Sequence, residues 1–186
     1  MRVVAGEFSG RKVVAPRGVR PTLGRVRRAI LDTLWPRVEG ARVLDLYAGS
    51  GAMGFEALSR GAALVTWCDA SERCIAAIRE GAARLEVAPP RVTFLCMKAR
   101  EAVARLGRAG RLFDIVFFDP PWDSGEYLAV LKDVPSIVEI GGVVVVEHSK
   151  RTEVPAVHGE MMVDQVRRYG DTCVTYLVRT GPEALR

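Results

Sequence analysis

The chemistry in this chain starts at Asp119-Pro120-Pro121-Trp122, an acid, two prolines and an indole directly after an apolar run, Phe113–Phe118. Proline has no N–H and a fixed φ, so the carbonyls of this tetrapeptide are pre-aimed and meet no competing donor. The Asp119 carboxylate and the Pro120 carbonyl can each accept a hydrogen bond from an exocyclic amino group. Trp122 offers a flat face to an extruded base, a stacking contact of roughly 1–3 kcal/mol. An aromatic amine is a poor nucleophile because its lone pair is delocalised into the ring. Two acceptors on its hydrogens would draw the nitrogen toward tetrahedral geometry, so the expected catalysis is positioning and electrostatics. The plain structural alternative is a proline turn with a core tryptophan.

A second candidate site lies upstream. Asp45 ends one apolar run, and Gly49-Ser50-Gly51-Ala52-Met53-Gly54 follows with the GxGxxG spacing of nucleotide-binding loops. Glycines there permit a tight turn and close backbone approach to a ligand. Asp69 ends the next run, where a carboxylate can take both hydroxyls of a ribose. A glycine-rich turn with no ligand has the same spacing, and a nicotinamide dinucleotide would satisfy most of it. Asp45 separates the cases, because it suits the ammonium of a methionine moiety and would repel a pyrophosphate. Together the two sites predict methyl transfer from S-adenosylmethionine to a nucleobase nitrogen.

These residues need strands and helices to position them. Apolar runs at 42–46, 63–68, 91–96, 113–118 and 143–146 read as strands. Helical periodicity falls at 22–35, 51–60, 71–85, 99–106 and 124–131, with Thr22 and Ser71 as N-caps. Val26, Ile30, Leu31 and Leu34 share one face of the first helix. Arg2–Val4 and Arg11–Val14 read as an opening hairpin. Residues 160–180 read as two strands joined at Tyr169-Gly170-Asp171. Near-continuous apolar strands alternating with helices predict a doubly wound α/β fold with a mainly parallel seven-stranded sheet. Ligands bind such sheets beyond the C-terminal strand ends, where both the glycine loop and Asp119 fall. The expected organisation is a basic N-terminal extension, 1–37, and a catalytic domain, 38–186.

Charge is uneven. The chain of 186 residues carries +5 overall. Residues 1–37 hold nine Arg or Lys against Glu7 and Asp32, a net +7, so the remainder sums to −2. Arginine grips phosphate bidentately and stacks on bases, so this segment predicts an RNA clamp at Arg11, Arg20, Thr22, Arg25 and Arg27. A solvated basic face is the alternative. Arg25 and Arg27 lie about 200° apart on a helix, so one can reach phosphate while the other turns inward.

Other classes are disfavoured. No apolar stretch approaches the roughly 20 residues of a membrane span, and the N-terminus lacks a signal-peptide core. Cys68, Cys74, Cys96 and Cys173 show no CxxC spacing, and His148 and His158 join no ligand motif. Reduced cysteines, no metal and a cytoplasmic protein are expected. Trp35 and Trp67 read as structural. Glu147 ends the run 143–146, either lining the pocket or pairing with Lys150 or Arg151.

Asp45…Gly49-Ser50-Gly51, Asp69 and Asp119-Pro120-Pro121-Trp122 resemble a class I S-adenosylmethionine-dependent amino-methyltransferase. Arg2-Val-Val-Ala-Gly6…Gly10-Arg11, Arg20-Pro-Thr22…Arg25-Val-Arg27, Leu44–Gly51, Glu56–Gly61 and Tyr169-Gly-Asp171-Thr resemble the small-subunit ribosomal RNA methyltransferase D family over nearly the whole chain. The resemblance implies methylation of a guanine N2 in 16S rRNA, free or within an assembling subunit, with no oligomer required. It implies catalytic roles for Asp119, Pro120, Pro121 and Trp122. It implies S-adenosylmethionine contacts at Asp45, Tyr47, Ala48, Gly49, Ser50, Gly51, Asp69, Ala70, Ala99 and Asp119. Gly24, Arg28 and Trp122 depart from the family pattern, and Trp122 keeps the stacking face. Three other readings stay open: an adenine-N6 methyltransferase, an assembly factor that binds nucleotide without catalysis, and a dinucleotide oxidoreductase.

Overall fold

The computed structural model describes residues 1–14, 16, 24–120, 127–152, 154, 157–158 and 160–181. The chain divides into two compact units, Met1–Lys98 and Ala99–Arg186. Thr22, Arg20, Pro121, Trp122 and the expected helix start at Ser124 lie outside the described residues.

The first unit opens with the expected short antiparallel hairpin, turned through residues 5–10 and closed by Met1 N–H and Val13 N–H donating to each other's carbonyls. Arg2 and Lys12 form a single antiparallel bridge, with Val3 N–H on the Arg11 carbonyl and Gly10 N–H on the Val3 carbonyl. Helix α1 (Gly24–Leu34) buries Val26, Arg27, Ile30, Leu31 and Leu34. Then β1 (Arg42–Asp45), α2 (Ala52–Ser59), β2 (Leu64–Asp69), α3 (Glu72–Arg84) and β3 (Val92–Cys96) alternate. The strands are parallel in the order β3-β2-β1, with Trp67 opposite both Asp45 and Phe94. Ser71 caps α3 by accepting from Cys74 N–H at 3.3 Å. Every residue of α2 is buried, which fits its all-apolar sequence apart from Glu56 and Ser59. Trp35 departs from expectation. It follows the last turn of α1 and is 55% exposed, so it is not a core residue, whereas Trp67 is fully buried.

The second unit begins with α4 (Ala99–Arg108), packed through Ala99, Ala102, Val103 and Leu106. After it come β4 (Phe113–Phe118), α5 (Tyr127–Asp133), β5 (Val138–Ser149), β6 (Val157–His158), β7 (Met161–Tyr169) and β8 (Thr172–Arg179). Their order is β4-β5-β8-β7-β6. Strands β4 and β5 are parallel, and β8, β7 and β6 add antiparallel pairing. The described residues thus hold seven strands of four residues or more and one of two. Strand β5 starts five residues earlier than its apolar run, because Gly141-Gly142 is a bulge inside it. Phe113 pairs with Val138 and Ile115 with Val143. Gly141 has φ +79°, and a Cβ on Gly142 would lie 2.8 Å from the Glu139 carbonyl, so the bulge requires both glycines.

Candidate active site

In the first unit the loops after β1, β2 and β3 are cross-braced through Asp69. Its Oδ2 accepts from Gly49 N–H and its Oδ1 from Ser71 N–H, both at 2.8 Å. Its own carbonyl accepts from Met97 N–H, and the Cys68 carbonyl from Ala48 N–H. One carboxylate therefore ties the glycine loop to the entry of α3. Each carboxylate oxygen has two lone-pair directions. One on each oxygen is used here, and the side chain is half-exposed, so a diol can reach the other two.

The glycine loop is shaped by what its glycines must avoid. Gly49 has φ +51° and Gly51 φ +74°, conformations that strain any residue with a Cβ. A Cβ on Gly51 would lie 2.8 Å from the Ile78 side chain, and one on Gly54 only 2.2 Å from Trp67 Nε1. Trp67 Nε1–H donates to the Gly51 carbonyl at 3.2 Å. Trp67 is thus a positioning residue for the loop, although its sequence context suggested only a core role. The third glycine of a GxGxxG loop marks close helix–strand packing, and that was the available signal for a large ring on the neighbouring strand.

Asp45 is buried at 4% exposure, and its Oδ2 accepts from Gly54 N–H at 3.1 Å. The partial positive charge of the first turn of α2 offsets the cost of burying this carboxylate. Ala48 and Ser50 are buried, Tyr47 and Gly49 half-buried, and Ala70 exposed. The structure therefore gathers the predicted residues 45–51, 69 and 70 on one rim of the first unit.

In the second unit, Asp119 follows the last residue of β4 and is exposed, while Pro120 is buried. An exposed acid thus sits at a strand end beside a buried proline. Ala99 is the buried first residue of α4. Glu147 lies near the end of β5, half-buried, and Lys150 takes a different carboxylate, that of Asp171, at 2.6 Å.

The predicted RNA contacts divide. Arg25 is exposed on α1. Arg27 turns inward to 4% exposure; its Nε donates to Glu56 Oε1 at 3.1 Å and its Nη2 to the Arg2 carbonyl at 3.0 Å. Glu56 Oε1 also accepts from Val4 N–H at 2.8 Å. This corrects the expected role of Arg27, whose guanidinium is consumed by fastening the N-terminal segment to α2. Arg11 is exposed but also engaged, donating to the Arg84 carbonyl at 2.7 Å at the carboxyl end of α3. The Val-Ala-Gly6 block is structural too. A Cβ on Gly6, with φ +82°, would fall 1.8 Å from the Ser59 carbonyl oxygen. Ser59 Oγ in turn donates to the Ala5 carbonyl and accepts from Phe8 N–H.

Among the described residues no three His, Cys, Asp or Glu side chains gather as a metal site, all four cysteines are free thiols, and no helix is long and apolar enough to cross a membrane.

The chain is similar to known proteins in sequence and fold. The family described as "Conserved hypothetical protein 95" matches residues 1–178. A Bacillus subtilis (strain 168) protein named "Putative rRNA methyltransferase YlbH" is 31% identical over 185 residues, 97% of this chain and 100% of the relative. The Escherichia coli (strain K12) "Ribosomal RNA small subunit methyltransferase D" is 34% identical over 144 residues, 76% of this chain and 68% of that protein. Among solved structures, "Putative methyltransferase yhhF from Escherichia coli" matches with a TM-score of 0.87 at 27% identity, over 97% of this chain and 98% of that one. A more distant one, "SMU.776, a putative methyltransferase complexed with SAH", matches with a TM-score of 0.69 at 13% identity, over 83% of this chain and 48% of that one, a likeness of fold alone. The fold is the doubly wound α/β fold of the class I methyltransferases.

Proposed function

The chain belongs to this conserved family, and on that premise we propose that it methylates the exocyclic N2 amino group of a guanine in small-subunit ribosomal RNA, using S-adenosylmethionine. The observation that carries the reading is the Asp69 brace. A half-exposed carboxylate fixed by Gly49 and Ser71 N–H groups is pre-organised for a ribose diol. The residues fit this cofactor. Gly49 and Gly51 let the backbone approach closely, Asp45 supplies negative charge where an ammonium would sit, and Asp69 takes the ribose hydroxyls. Tyr47, Ala48, Ser50 and Ala70 complete that rim. When bound, the cofactor supplies an electrophilic sulfonium methyl.

The chain's own contribution lies in holding the base. Asp119 and the Pro120 carbonyl accept the two amino hydrogens and leave the nitrogen lone pair free to attack. With guanine, Asp119 also accepts from the ring N1–H, which adenine lacks. Trp122 stacks on the extruded base, and Pro121 stiffens the lip. The nitrogen that gains a methyl is transiently cationic and readily loses a proton, so Asp119 need not be a strong base. Relatives named as rRNA methyltransferases support RNA as the substrate.

The test is nucleoside mass spectrometry after incubating unmodified 16S rRNA with the protein and isotope-labelled S-adenosylmethionine. Labelled N2-methylguanosine is expected. Labelled N6-methyladenosine instead would move the reaction to adenine, and no labelled nucleoside in free rRNA or partly assembled subunits would overturn the proposal.

A further inference from the structure

The resemblance to rRNA methyltransferases included Tyr169-Gly170-Asp171-Thr172, a motif with no part in the chemistry above. It is the tip of the β7–β8 hairpin. Gly170 has φ +68°, as a two-residue hairpin turn requires. The tip is clipped to the segment after β5 by two contacts. Lys150 N–H donates to the Asp171 carbonyl at 2.9 Å, and Lys150 Nζ pairs with Asp171 Oδ1 at 2.6 Å. Asp171 is 87% exposed, so this ion pair adds little stability. Its effect is to fix where the hairpin points.

The hairpin's outer strand is basic. Val166, Arg167 and Arg168 are consecutive and all exposed, so both faces of β7 are open to solvent at this point; Arg167 Nε donates to the Gln165 side chain at 3.1 Å, also at the surface. Arg151, just past β5, is exposed as well. Among the described residues, the carboxylates nearby are Asp171, held by Lys150, Asp164 at the irregularity between Val163 and Gln165, and Glu147. Strand β6 pairs only with Met161 and Met162. Among the described residues no strand covers the outer edge beyond them.

Register relates these cations to Asp119. Phe118 pairs with Val146, so Asp119 and Glu147 come next on β4 and β5. Glu147 pairs with Val174 on β8, and Val174 with Arg167 on β7. Arg167 is therefore in line with Glu147 across two strand spacings, roughly 10 Å, and the end of β4 from which Asp119 follows is one spacing further on. Arg168 is one residue further along β7, toward the tip. Arg151 lies beyond the end of β5, the strand beside β4. A bare edge strand is often protected by charge against self-association, but that role sets no register with a reactive carboxylate.

We propose that Arg167 and Arg168 on β7, together with Arg151 in the segment to which the hairpin tip is clipped, form a phosphate-contacting surface for the RNA strand that flanks the base at Asp119. The inference rests on RNA being the substrate. Backbone contacts of this kind position a nucleic acid without reading its sequence.

The test is binding of single-stranded polyuridylate by the full chain over a range of salt, comparing wild type with Arg151→Gln/Arg167→Gln/Arg168→Gln. Losing three phosphate contacts should lower the log–log salt slope by roughly 2–3, with Tm and S-adenosylmethionine affinity unchanged. Lysines at the same positions should restore most of it. A wild-type slope in the glutamine variant overturns the proposal, as does aggregation with the slope preserved, which would assign these arginines to edge protection. Failure of wild type to bind polyuridylate overturns it too. If binding behaves as expected while nucleoside mass spectrometry finds no methyl on rRNA, the function falls and this surface stands.

Discussion

The N-terminal segment and the β7–β8 hairpin are both rich in arginine, and they differ in what surrounds it. In the first, Arg27 is buried against Glu56 and the Arg2 carbonyl, and Arg11 rests on the carboxyl end of α3. In the second, Arg168 and Arg167 stand exposed on β7, Arg167 donating to the Gln165 side chain at 3.1 Å at the surface, and Arg151 is exposed just past β5. The first region dominates the charge of the sequence, yet part of that charge holds the segment in place. The second is invisible in the totals, because its cations are diluted by acids elsewhere in residues 38–186. Net charge counts cations without saying which are already held, and burial supplies that distinction.

The sharpest way to break this comparison is at Glu56. Removing one partner of a buried pair leaves an uncompensated charge, at a cost of about 3–5 kcal/mol. Glu56→Ala should therefore lower the denaturant midpoint strongly, and Arg27→Ala similarly. Arg25→Ala should leave that midpoint near wild type and lower the salt slope of RNA binding by roughly 0.7–0.9. A stable Arg27→Ala with a flattened slope would return Arg27 to the RNA clamp.

A smaller effect concerns His148. It is buried, its Nδ1–H donates to the Ser149 carbonyl at 3.0 Å, and its Nε2 accepts from the Thr175 hydroxyl at 2.7 Å. The tautomer follows because a carbonyl can only accept. Burial lowers its pKa below the ordinary 6.5. The folded protein then binds fewer protons than the unfolded chain, so stability is full above 6.5 and declines as pH falls below it. Between about pH 7 and about pH 5.5, the Tm of wild type should fall more than that of His148→Gln. Equal pH dependence would remove His148 as a source of acid sensitivity.

Much of this was legible in the sequence, and the misses have physical causes. Alternating apolar runs were enough to locate the strands and helices, because buried parallel strands are apolar on both faces. The start of β5 was missed because Gly141-Gly142 reads as a boundary, while the chain uses it to bulge and continue. Trp35 looked structural by type, but it follows the last turn of α1 and points outward. The glycine loop and Asp69 were legible from spacing. The Trp67 brace and the Glu56–Arg27–Val4 clasp were not, because each joins residues distant in sequence through one hydrogen bond. The register linking Arg167 to Glu147, beside the end of β4, depends on antiparallel pairing that no local pattern records.

The central claim is that Asp119 activates the base while the first unit holds the cofactor. Single-turnover methyl transfer by Asp119→Ala tests it most directly, with S-adenosylmethionine affinity measured by calorimetry on the same protein. The account predicts a rate loss of about a hundredfold or more, the scale on which a pre-organised polar group acts, with cofactor affinity nearly unchanged. A variant that keeps most of its single-turnover rate on rRNA would contradict it.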